Sequence, residues 1–424
     1  MMSHPGRDWR VVLLAIASGG SGMLALAIAV AGSAYGVLER LLGHQDAKSL
    51  DPLDVFLLSG ALALISALML MASYRALQVL RGHPDRPFTA YPLRIRDLSI
   101  LMLVWLASAI LAQILVDRDP WRWATPFLHL LAIGTPVYLL VRLAIGGVRG
   151  GSRLRLWGTL ATGLILGTGL AAVAEIALLI LAVSVGAMYL VLNPEQLLTL
   201  ASVAQQLGQT SGMEDALMVM QPLLVHPVAL LVVVLAVSVI TPIVEELAKS
   251  AAAWVIYDRL STAAHGFWCG AVSGAGFAVF EGLMASANTS GSWAFILLIR
   301  AGSSMMHILA SAMAGWGIAA FRHSRRPTYL LGGYAIAIGL HALWNTSVVA
   351  IVYGGLRSAF SGNQVDVVGL AAVAAGAVVL ATLLSLLPVM LIVINRRLRS
   401  HGSAPTQKPL IDGGDTAPSA GVEG

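Results

Sequence analysis

Apolar residues run through this chain in long blocks, and polar residues interrupt them at near-regular distances. A helix needs about 20 apolar residues to cross the hydrocarbon core of a bilayer. Ten blocks reach that length, near 11–37, 54–75, 97–116, 124–145, 156–192, 228–257, 266–287, 293–320, 330–353 and 367–394. The pattern predicts an all-α fold, a polytopic membrane helix bundle of about ten transmembrane helices. The fifth and sixth blocks exceed one crossing, which predicts tilt, kinking or projection beyond the bilayer. No turn signal divides the fifth, so it reads as one helix. The first block follows Arg7 and Arg10 and contains the small residues Val30, Ala31, Gly32, Ser33 and Ala34, as a signal peptide would. Its apolar length exceeds the roughly 7–15 residues of a signal core, and it reads as a retained span.

The basic residues test the count. Arg75, Arg81, Arg86, Arg94 and Arg96 surround the second connection, and Arg149, Arg153 and Arg155 occupy the fourth. Arg322, Arg325 and Arg326 fill the eighth, and Arg396, Arg397 and Arg399 follow the last block. With ten spans and a cytoplasmic N-terminus, all four clusters face the cytoplasm, as the positive-inside rule requires, and the C-terminus lies there too. The connection 193–227, with Glu195, Glu214 and Asp215, becomes the sizeable extracytoplasmic loop. Leu197, Leu198, Leu200, Ala204 and Leu207 predict a short amphipathic helix in it, read as a surface connector. The tail 400–424, rich in Gly, Ser, Pro and Ala, reads as disordered. The domain reading is an N-terminal membrane region 1–222, a core of four spans 223–355, a last helix within 356–399 and the tail. No internal repeat is evident.

Composition agrees. The chain is 58% hydrophobic and 11% charged, whereas soluble domains carry about 25% charged residues. A net charge of +5 gathered at block ends is no nucleic-acid signal, so lipid and membrane proteins are the expected partners. The lone Cys269 excludes an intramolecular disulfide.

Four consecutive blocks carry chemistry where a membrane helix is normally bland. A charged side chain at the bilayer centre costs roughly 2.5–3.5 kcal/mol on insertion scales. The sixth block holds Glu245 and Glu246, with Lys249 within reach of both at helical spacing, and Pro242 just before them to loosen the backbone. The seventh places Phe277, Phe280, Glu281 and Met284 on one face, beside a stripe of Gly266, Gly270, Gly274 and Ala278 that allows close helix approach. The eighth bears Arg300, Ser304, His307 and Ser311 on one stripe, and the ninth Tyr334, Ile338, His341 and Asn345. Outside these blocks, His129 reads as a packing histidine, and Glu175 is equally compatible with a structural or a functional role. His307 and His341 sit near mid-span, Glu281 nearer the outer end and the Glu pair nearer the inner end. Tilt has to close that gap for a common site to exist.

At these residues the chain resembles the PrsW family of intramembrane proteases. Glu245-Glu246…Lys249, Phe277…Glu281, Arg300…His307 and His341 stand in the family's order over roughly 228–350. The third motif often ends in an acid, where this chain has Ser311. Related prenyl endopeptidases and bacteriocin-immunity-type proteases continue the first motif to an arginine, where this chain has Ser250. The resemblance implies an intramembrane endopeptidase of a bacterial cell membrane that cuts single-span or membrane-anchored proteins, such as anti-sigma-factor-like regulators.

In that reading Glu245 or Glu246, with a lean to Glu245, activates water, since a carboxylate held out of water is a stronger base. His307, His341 and Asn345 offer hydrogen bonds to an oxyanion, Glu281 orients water or passes the proton, and Lys249 and Arg300 balance charge. The favoured reading has no cofactor. The alternative is zinc held by Glu245, Glu246, His307 and His341, whose donor types suit it, although no His-Glu-x-x-His run is present. An ion-coupled transporter or a non-catalytic scaffold would also place charges at mid-membrane.

Overall fold

The computed structural model describes residues 8–42, 51–210, 213–287, 293–361 and 364–401. The expected disordered tail lies, apart from its first two residues, outside the described residues. Among them, ten helices are long and apolar enough to cross a membrane, and they coincide with the ten blocks. The protein is an all-α multi-pass membrane protein.

The elements are α1 (Trp9–Leu42), α2 (Pro52–Leu80), β1 (Pro87–Thr89), α3 (Ile95–Leu115), α4 (Thr125–Ile145) and β2 (Arg149–Ser152). The fifth span joins α5 (Arg153–Thr162), a π-helical turn over Gly163–Gly167 and α6 (Thr168–Leu192) without a break. The connector carries α7 (Pro194–Leu207), the expected amphipathic helix, and α8 (Met213–Leu224), which the sequence did not announce. The sixth span joins α9 (Pro227–Val233), a π-helical segment Val234–Ile240, α10 (Thr241–Lys249) and α11 (Ala251–Val255). Then follow α12 (Ala263–Ala285), α13 (Trp293–Ser324), α14 (Pro327–Ala359) and α15 (Val367–His401). The small-residue run 30–34 lies inside unbroken α1.

Two short strands are the departure from an all-helical reading. β1 pairs antiparallel with β2, Phe88 opposite Gly151. Pro-Phe-Thr and Arg-Gly-Gly-Ser are too short to show an alternation from which a strand could be read. Their pairing puts the second and fourth connections on one face of the bundle. Arg10 and Asp258 join the start of α1 to the sixth connection, and Arg322 and His323 donate to the Leu260 carbonyl from the end of α13. Asn395 of α15 donates to the carbonyls of Ala144 and Gly146. The even connections and the start of α1 thus share one face, as ten alternating spans demand.

α12 is the most enclosed span, and its small residues explain why. A Cβ at Gly266 or Gly270 would fall on the Gly315 or Ser311 carbonyl of α13, and one at Gly274 would lie 2.6 Å from the His307 carbonyl oxygen. The stripe therefore sets α12 backbone-to-backbone against the part of α13 that carries His307. On its other side a Cβ at Gly163 of the π-helical turn would fall on the Ser273 carbonyl, and one at Gly167 would lie 3.6 Å from the Lys249 Cα. Ser273 Oγ donates to the Lys249 carbonyl at 2.7 Å, holding the point where α10 ends.

Candidate active site

The sixth span reaches the site through a deliberate irregularity. Pro242 has no N–H to give. In the π register that N–H would have bonded the carbonyl five residues back, which is that of Val237. Asn345 Nδ2 donates to this carbonyl instead, at 2.8 Å. The structure therefore places Asn345 on the backbone of the sixth span and not in the polar cluster. Sharing a face with His341 was not enough to bring it there, because an orphaned carbonyl lay closer. Tyr334 likewise stands apart, bonded to Ser250 and Trp254.

The remaining groups converge. Lys249, fully buried, donates from Nζ to Glu245 Oε2 at 2.7 Å, Glu246 Oε1 at 2.9 Å and His307 Nδ1 at 2.8 Å. Its ammonium stands 4.1 Å from the Phe277 ring centroid, a cation–π contact. Glu246, also fully buried, receives His341 Nδ1 at 3.0 Å and Ser311 Oγ at 3.3 Å as well. Glu281 Oε2 meets His307 Nε2 at 2.7 Å and Arg300 at 2.5 Å. The two imidazoles lie edge to face, 5.0 Å between centroids. His307 closes the depth gap: one nitrogen reaches the Glu pair through Lys249, the other reaches Glu281.

These partners assign the imidazole tautomers. Lys249 can only donate, so His307 Nδ1 accepts and Nε2–H donates to Glu281. Glu246 can only accept as a carboxylate, so His341 Nδ1–H donates and Nε2 carries the lone pair, 3.8 Å from Glu245 Oε2. Neutral imidazoles arranged in this way have no N–H left for an oxyanion. The three Lys249 N–H groups are spent as well, on Glu245, Glu246 and His307, which leaves Arg300, whose Nε is unpartnered among the described residues, as the neighbouring cation with an N–H to give.

The same arrangement fits a divalent cation by donor chemistry. One ligand atom each from Glu245, His307 and His341 lie within 4.8 Å of one another, all three residues buried. Two imidazoles and a carboxylate are a familiar catalytic zinc set. Each imidazole has a carboxylate behind it, Glu281 for His307 and Glu246 for His341, which is how ligating histidines are held. Glu246 belongs to this supporting layer and not to the three-ligand group. Lys249 Nζ touches two of the three ligand residues and takes the cation's place among them.

Of the residues left open, Glu175 of α6 has Glu245, Glu281 and Lys249 as charge neighbours and the Thr241 hydroxyl as its hydrogen-bonding neighbour. A lone Glu in a separate block has no sequence partner to reveal this. Four carboxyl groups thus stand near one ammonium and one guanidinium. His129 is fully buried, bonded to Ser286 Oγ at 2.7 Å away from the site, a packing histidine as expected.

A family model described as PrsW family intramembrane metalloprotease matches residues 152–376, more than half of the chain. The match takes in the fifth span as well as the four that carry the motifs. No curated protein and no solved structure matches the chain.

Proposed function

The chain belongs to the PrsW family of intramembrane metalloproteases and is a peptidase, and on that premise we propose that it cuts membrane-anchored protein substrates at the Glu245–Glu246–Lys249–Glu281–His307–His341 cluster. The observation that carries the proposal is the convergence of these six side chains, from four spans, onto one buried point. Anti-sigma-factor-like regulators are the proposed substrate class, in a bacterial cell membrane with both chain ends in the cytoplasm.

Hydrolysis needs an activated water, a stabilised oxyanion and a proton for the leaving amine. Glu245 is the less enclosed of the pair, 7% exposed against 0% for Glu246, and takes the water proton. Glu281, its side chain 33% exposed and held by Arg300 and His307, orients that water, and the proton taken up by Glu245 passes to the leaving amine. The Lys249 ammonium faces the charge that develops on the carbonyl oxygen. Glu246 and Ser311 fix His341.

Glu245, His307 and His341 are the residues that would hold a divalent cation. Such an ion supplies a more acidic bound water and polarises the scissile carbonyl. Glu281 stays outside that ligand set and free to orient the water. A metal-free glutamate mechanism is the second reading, favoured by Lys249 Nζ standing among the same donors. Metal analysis of purified protein, with chelation and re-addition, separates the two: bound metal lost with activity and restored with it supports the first. Cleavage of single-span substrates by Glu245→Ala, Glu246→Ala, Glu281→Ala and His307→Ala tests the site itself. Wild-type cleavage by all four would overturn it.

A further inference from the structure

α2, α4, α5 and α12 do not close on one another. Between them lies a cavity of about 810 Å³, within the range of about 300–1,000 Å³ usual for ligand sites. Its walls are apolar, with Leu64 and Leu68 of α2, Leu156 and Leu160 of α5, and Val272 and Val279 of α12. On α4 the wall runs from Ile145, at the helix end, to Gly134, eleven positions deeper, which is about 16 Å. That is about half of the roughly 30 Å hydrocarbon core, the depth filled by an acyl chain of one leaflet. A Cβ at Gly134 would meet nothing within 4 Å, so the space is open to that depth.

The mouth of this cavity is basic. Arg142 and Arg153 stand on its wall, and Arg142 is held there by the Tyr138 hydroxyl at 2.8 Å and the Tyr91 carbonyl at 2.5 Å. Arg142 also borders a smaller space of about 270 Å³, together with Arg94, Arg396 and Arg399. Among the described residues no Asp or Glu lines either space. Asp97, the acid closest in the chain to Arg94, pairs with Arg96 at 3.5 Å. The second connection, α4, α5 and α15 thus bring five arginines together without a carboxylate among them. The positive-inside rule accounts for arginines at helix ends one by one. It does not require them around the mouth of an apolar cavity. A larger groove of about 910 Å³ between α1, α2 and α4 makes the contrast, for its arginine, Arg40, is stacked 4.1 Å over the Trp123 ring.

An apolar slot of leaflet depth, with concentrated positive charge at headgroup level, suits one kind of ligand. Basic pockets between membrane helices take anionic lipid headgroups. We propose that this cavity binds an anionic phospholipid, with its phosphate at Arg142, between Arg153 on one side and Arg94 and Arg396 on the other, and one acyl chain along α4 as far as Gly134. The inference is independent of the peptidase reading.

Its test reconstitutes the full chain in bilayer discs of phosphatidylcholine, with and without phosphatidylglycerol, extracts it into detergent and reads the retained lipid by native mass spectrometry. The wild type should keep a phosphatidylglycerol in preference to phosphatidylcholine and should unfold at a higher temperature in the discs that contain it. The double variant Arg94→Gln, Arg396→Gln changes two exposed side chains at the mouth and should lower that preference about tenfold or more. Gly134→Phe sends a ring into the open space beside α4 and should lose the retained lipid. Both variants should unfold at the wild-type temperature in phosphatidylcholine alone, without the gain from phosphatidylglycerol. Equal retention of the two lipids by the wild type overturns the inference, as does a chain extracted with a peptide in place of the lipid. An unchanged preference in the double variant overturns the role of the arginines, and unchanged retention in Gly134→Phe overturns the place of the acyl chain; either result refutes the proposal.

Discussion

Replacing Lys249 by methionine removes one ammonium and leaves its volume almost unchanged. The ammonium lies 2.7 Å from Glu245 and 2.9 Å from Glu246, and its side chain is 0% exposed. At an effective dielectric constant of about 20 each contact is worth about 6 kcal/mol of Coulomb energy. Burying the ammonium offsets part of that. What remains to be lost is the penalty of two buried carboxylates without their cation, about 3–5 kcal/mol. Reversible unfolding of the full chain in bilayer discs should therefore show Lys249→Met destabilised by about that amount. Adding Glu246→Gln removes one of the stranded charges, so the double variant should recover at least about 1 kcal/mol relative to additivity. A Lys249→Met protein within about 0.5 kcal/mol of wild type, or strict additivity of the pair, would refute the claim that this lysine holds the carboxylates together. The same variant removes the ammonium that competes with a cation for Glu245 and His307, so zinc titration should show tighter binding than in wild type if those donors form a metal site.

Other substitutions probe the supporting structure. Gly270→Val drives side-chain atoms into the Ser311 carbonyl and should cost about 1–3 kcal/mol or more in unfolding, whereas Gly20→Ala meets nothing within 4 Å and should be neutral to slightly stabilising. Ser311→Asp sets a second acid beside fully buried Glu246 and should destabilise more than Ser311→Ala, about 1 kcal/mol for the lost hydrogen bond; equal melting temperatures would contradict the contact at 3.3 Å. Burial raises the Asp258 carboxyl, but the hydrogen bond and charge of Arg10 outweigh it and hold the group below its ordinary range. Its contribution is therefore present above about pH 4 and fades as pH falls through the depressed value. Asp258→Asn should lower the melting temperature slightly at pH 7, by well under 1 kcal/mol for so exposed a pair, and not at all near pH 2.

The spans and the helical stripes were legible because period and length survive in a single sequence. Gly266, Gly270 and Gly274 announced a close helix approach without naming the partner; the partner is α13, and that contact is what carries His307 to Glu281 and Lys249. Hydrogen-bond direction was not legible. His307 and His341 read as donors to an oxyanion until Lys249 and Glu246 were seen to occupy one nitrogen each. Asn345 was misplaced for a similar reason: only the backbone of the sixth span reveals the carbonyl that Pro242 leaves unpaired. Glu175 stayed open because its partners lie 66 to 106 positions away in the chain.

The π-helical segment Val234–Ile240 has a consequence for how this span tolerates insertions and deletions. Such a segment carries residues in excess of a regular α-helical register. Deleting one residue within it would tighten the turn to a regular α-helical register and leave α9 facing nearly as before, with Glu245, Glu246 and Lys249 anchored by α12, α13 and α14. Deleting one residue between Pro242 and Glu245 would instead swing the carboxylates out of register with both histidines. Two deletions a few positions apart in one helix should thus have opposite fates: the first is absorbed and spares the site, the second dismantles it.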